Sequence, residues 1–105
     1  MNLIEEVPDE EILSQQNPET PFEFLKKLNI DVYNSFAKLF NQFISEIYLI
    51  VFNKNIVDST LEILLRPTNT VDELRNNLKE AEQKVSCFMQ ATDYIHELRY
   101  MIQHL

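Results

Sequence analysis

Apolar residues fall into two long helical stripes separated by a single proline turn. Leu25, Leu28, Val32, Phe36, Leu39, Phe43, Ile47 and Ile50 are spaced by three or four residues throughout. That spacing lines up side chains on one helical face. The order of steps recurs every 11 residues, which suits a nearly straight or slightly right-handed packing stripe. A second row, Tyr33, Phe40, Ile44, Tyr48 and Val51, widens the face beyond one seam. Thr20-Pro21 supplies an N-cap and a first-turn proline, and Glu23 stands where a capping box wants it.

Asn53-Lys54-Asn55 is the one polar interruption before Ile56. Helical spacing resumes through Val57, Leu61, Leu64 and Leu65, so the pattern predicts one helix over about 21–66, continuous or kinked near 53–55. Arg66-Pro67-Thr68-Asn69-Thr70 is the clear turn, because proline disfavours helix at the residue before it. Thr70 and Glu73 form a second capping box. Val71, Leu74, Leu78, Ala81, Val85 and Phe88 then follow a heptad. Strict register would next meet Thr92 and Arg99, whereas a one-position shift at Ala91 gives Ile95, Leu98, Ile102 and Leu105. The reading is a second helix over about 70–105, roughly 50 Å long, with one local phase slip.

These patterns predict an all-α chain: residues 21–105 form an antiparallel helical hairpin or coiled coil, with residues 1–20 as a flexible, disordered acidic tail. A hairpin this small leaves the second row on the first helix and the shifted row at the end of the second uncovered, and exposed apolar rows on soluble proteins mark interfaces. Partner helices are expected to complete it, in a homodimer or hetero-oligomer. On the first helix the interface candidates are Phe36, Phe40, Phe43, Ile44, Tyr48 and Val51. On the second they are Leu74, Leu78, Val85 and Phe88, then Ile95, Leu98, Ile102 and Leu105.

Composition narrows the function. The 105 residues include no glycine, which argues against tight-turned sheets and against loops that cradle phosphates or oxyanions. The net charge is −8, and six acids precede residue 21 with no base among them. Pro8, Pro18 and Pro21 break that stretch. Leu3, Ile4, Val7, Ile12 and Leu13 among its acids suit a docking segment, although a merely solvated tail accounts for them more simply. No basic face is visible for nucleic acid or an anionic membrane. The greasiest run, Ile47 to Phe52, is too short to span a bilayer. Residues 1–6 lack the basic and apolar regions of a secretion signal, and Cys87 has no disulfide mate. Both observations favour an intracellular protein of the cytoplasm or nucleus.

Candidate chemistry is sparse. His96 and His104 stand eight residues apart, and Asp93, His96 and Glu97 share a face, but the Glu-x-x-His pairs of di-iron bundles are absent. Cys87 has only Lys84 nearby, and the serines have no nucleophile-elbow motif. No catalytic residue, cofactor or metal site is assigned. In periodicity alone, residues 22–105 resemble the small helical subunits of multi-protein scaffolds. The expected function is that of a non-enzymatic assembly subunit that binds partner helices through coiled-coil faces. The alternative is a regulatory or effector protein that captures a partner helix in its apolar groove.

Overall fold

The computed structural model describes residues 20–105, in which all regular structure is helical: α1 (Pro21–Leu28), α2 (Ile30–Ile50), α3 (Lys54–Leu64), α4 (Val71–Lys84) and α5 (Met89–Met101). The all-α class and the antiparallel packing about the 66–70 turn are as expected. The tail expected over residues 1–20 lies, apart from Thr20, outside the described residues.

Each expected limb is divided, and polar caps explain most of the divisions. The Asn29 amide closes α1 by donating to the Leu25 carbonyl at 2.8 Å. Its side-chain Oδ1 then opens α2, accepting from the Asp31 and Val32 amides at 3.0 and 3.1 Å. Asn53 does the same for α3, taking the Asn55 and Ile56 amides at 3.0 and 3.2 Å. Those first-turn amides have no partner within the helix, so a short polar side chain gives the backbone a reason to restart. The chain therefore leaves the helix at 51–53 and restarts at Lys54, a true break and not the kink in a continuous helix expected near 53–55. Thr20 and Thr70 cap α1 and α4 as the sequence predicted. Glu73 reaches back one residue further than a standard capping box, to the Asn69 amide at 2.7 Å.

The larger departure lies between α4 and α5. Residues 70–105 do not form one long helix; the chain turns at 85–88 and folds back on itself. Arg99 on α5 pairs with Glu82 on α4, and Arg75 near the start of α4 reaches the carbonyls of Ile102, Gln103 and Leu105. The Thr92 hydroxyl holds the corner, donating to the carbonyls of Val85 and Phe88 at 2.9 and 3.1 Å. Val85, Ser86 and Cys87 are all mediocre helix formers, so the turn costs little propensity. What reads in the sequence as a phase slip is thus the point where one stripe turns to face the other.

Short connections at 51–53, 65–70 and 85–88 alternate the direction of α2 through α5. Helix α3 packs on α4, α4 on α5 and α5 on α2, while α1 folds back along α2. Phe43, Ile47, Leu74, Ala81, Val85, Ile95, Leu98 and Ile102 are fully buried in the shared core. The α1 side is sealed by Leu25 and by the Phe22 ring, which meets Phe36 and Phe40 edge-on at centroid distances of 6.0 and 4.9 Å. At the α3–α4 turn, Arg66 grips Glu80 through both terminal nitrogens at 3.0 and 3.2 Å and also meets the buried Asn77 amide oxygen. No helix among the described residues is long and apolar enough to cross a membrane.

Candidate functional site

Alternating directions bring the C-terminus of α2, the N-terminus of α3 and the N-terminus of α5 to one end of the bundle. Large apolar side chains gather there in the open. Phe52, in the break between α2 and α3, is 88 % exposed. Met89, which begins α5, is 79 % exposed, and Leu49 on the last turn of α2 is 72 % exposed. Tyr48 stands half in water beside them, with its hydroxyl 3.5 Å from Asp58 on α3. Asp58 also holds the Lys54 ammonium at 2.7 Å, and that hydrogen bond raises the lysine pKa above its ordinary value.

Leu28, Ile30, Leu65 and Tyr100 are also exposed elsewhere, but the three most exposed large apolar side chains among the described residues all lie at this end. A methionine or phenylalanine left in water forgoes roughly 1.5–3 kcal/mol of burial energy, and single exposed apolar residues are common. Three such residues at one end, at helix termini where polar side chains serve equally well, form a patch of the kind that marks interfaces.

Beside this patch a shallow cleft runs between α2 and α5, lined by Leu39, Gln42, Gln90, Asp93, Tyr94 and Glu97. Its floor is aromatic: the Tyr94 ring packs 5.2 Å from that of Phe43. The Tyr94 hydroxyl crosses the cleft to donate to Glu46 Oε1 at 2.8 Å. That hydrogen bond, then burial, then the charge of Glu46 hold the phenol above its usual pKa. Asp93 and Glu97 are exposed, four residues apart on one helix face, and neither forms an ion pair with a described residue.

Most of the residues proposed from sequence as partner-binding are the chain's own core. Phe36, Phe40, Phe43, Val51, Leu74, Leu78, Val85, Ile95, Leu98 and Ile102 are buried within the single chain. Ile44, Phe88 and Leu105 are half-buried against that core, and Tyr48 alone is exposed. The expectation that the shifted row on the second limb stays uncovered is corrected by the fold-back at 85–88. With α5 returned onto α4 and α2, its apolar row already has two walls. The three most open large apolar residues, Leu49, Phe52 and Met89, lie off the periodic stripes, and a search by periodicity passes over them.

Little else in the described residues is arranged for chemistry. Among them no three His, Cys, Asp or Glu side chains converge as metal ligands. His104 lies edge-on to Tyr100 at 6.5 Å, and Cys87 is an exposed free thiol. A second cleft, lined by Arg75, His96, Arg99, Tyr100 and Gln103, collects positive charge. Its two guanidinium groups are already engaged, Arg75 with Asp72 and the last carbonyls, Arg99 with Glu82. With this geometry in view, no protein-family model, curated protein or solved structure matches the chain.

Proposed function

We propose that the chain is a non-enzymatic helical subunit that assembles with a partner protein through the open apolar end of its bundle. The observation that carries this reading is that the three most exposed large apolar side chains of the described residues, Leu49, Phe52 and Met89, lie at one end of the bundle. Burying such a cluster against a partner recovers the hydrophobic free energy that the isolated chain leaves in water. An exposed, unpaired Cys87 fits a reducing compartment, cytoplasm or nucleus. The net charge of −8 favours protein over nucleic acid or an anionic membrane as the bound surface.

Affinity purification from the native source tests this reading, with the chain compared against a Leu49→Ser, Phe52→Ser double variant. Both positions are exposed, so the variant is expected to keep its helicity by circular dichroism. The expected result is a discrete set of co-purifying chains that the variant loses. Recovery of the same chains by both proteins, or of none by either, overturns it.

A further inference from the structure

Resting on the assembly reading, we infer that the cleft between α2 and α5 is a docking groove for a basic amphipathic helix of the partner. The groove has an apolar floor, an acidic wall and an apolar exit. Leu39 and the Tyr94 ring form the floor. Asp93 and Glu97 line the α5 wall, and Glu46 on α2 accepts the Tyr94 hydroxyl with one oxygen. Leu49 lies one turn beyond Glu46 on α2, and Met89 one turn before Asp93 on α5. With the two helices antiparallel, both lead out of the cleft at the open end.

Charge complementarity selects the occupant. Like charges four residues apart on a helix repel one another, and neither Asp93 nor Glu97 forms a salt bridge with a described residue. Lys38, the one lysine or arginine on α2, forms no ion pair with either, and Arg99 on α5 is already committed to Glu82. The charges of Glu46 and Glu97 both oppose ionisation of the Tyr94 phenol, while a hydrogen bond with Gln42 favours it. A helix that presents leucine-like side chains at three- and four-residue spacing, flanked by Lys or Arg, meets all three needs. Its apolar face covers Leu39, Leu49 and Met89, while its cations relieve the carboxylates. A second copy of this chain is a poorer occupant, since the protein is itself acidic and brings mostly like charge to the wall.

The test uses the full chain and a fluorescent peptide of leucine and lysine, about 20 residues and so roughly 30 Å long as a helix. Anisotropy titrations compare the wild type with an Asp93→Asn, Glu97→Gln variant and with an Asp31→Asn, Glu62→Gln variant. The second removes the same two charges far from the cleft. The expected result is a loss of about tenfold in affinity for the cleft variant, from two partly desolvated ion pairs, and no more than about a twofold change for the control. A Leu49→Ser, Met89→Ser variant is expected to weaken binding as well.

Equal weakening by the two charge variants, or by neither, overturns the groove, because attraction is then to bulk charge or to another surface. Concentration-dependent growth in mass by light scattering, abolished by Asp93→Asn with Glu97→Gln, also overturns it, by making a second copy the occupant. The assembly reading is judged separately, since its Leu49, Phe52 variant leaves Asp93 and Glu97 intact.

Discussion

Tyr94 and Glu46, 48 residues apart in sequence, meet across α2 and α5 through a 2.8 Å hydrogen bond from phenol to carboxylate. The same phenol ring packs on Phe43, so this contact ties the polar rim of the bundle to its core. Because the phenol donates, losing its proton breaks the bond and sets two negative charges side by side.

This pair predicts a specific titration. The bond to Glu46, followed by burial and the glutamate charge, raises the Tyr94 pKa above the ordinary phenol value. A raised folded-state pKa means that the contribution to stability is complete below the unfolded pKa, about 10. It is lost as pH climbs through the folded value. Carbon-13 NMR of the four tyrosine Cζ signals is expected to show Tyr94 titrating higher in the wild type than in Glu46→Gln. An unchanged midpoint in the variant excludes the hydrogen bond as the cause.

Core and surface positions on α4 are expected to differ sharply. Leu78 is 1 % exposed, whereas Asn76 two residues away is open to water. Leu78→Ala deletes packed volume and is expected to cost about 2–5 kcal/mol in urea unfolding. Asn76→Ala is expected to stay within about 0.5 kcal/mol. Similar losses at both positions are incompatible with the burial described.

The two asparagine caps are expected to matter although both are exposed. Asn29→Ala and Asn53→Ala each strip two first-turn amides of their acceptor, at a cost of about 1 kcal/mol apiece. Asn34, exposed within α2 and making no cap, is the internal comparison. If Asn34→Ala proves as damaging as either cap variant, side-chain capping is not what sets the helix boundaries.

Much of this fold is legible in sequence, for identifiable reasons. Thr20-Pro21 and Thr70 carry their capping chemistry within four residues, so local reading suffices for them. Pro67 marks the turn because its effect on Arg66 is steric and needs no tertiary context. Asn29 hides because the apolar stripe runs through it without losing phase, from Leu28 to Val32. Periodicity registers where apolar residues fall, and is blind to a polar side chain that restarts the backbone between them. The corner at 85–88 fails differently. A one-position slip in a straight helix and a reversal of the chain leave the same sequence pattern, and only the energy of burying Ile95, Leu98 and Ile102 separates them. As for the candidate surface, the stripes point to residues that fold against each other. The most exposed apolar side chains lie off the stripes, at helix ends such as Leu49 and Met89.

The corner at 85–88 also sets an order of events in folding. With it, α3, α4 and α5 each contact the helix next to them in sequence, and such local pairs form quickly. Only the closure of α2 on α5 joins distant segments, and bringing residues 46 and 94 together carries the entropic cost of a long loop. Helix α2 is therefore expected to dock last, onto a three-helix unit that is already assembled. Until it docks, Phe43, Ile47 and the face of α5 that receives them are bare. That interval is when the chain is most exposed to aggregation.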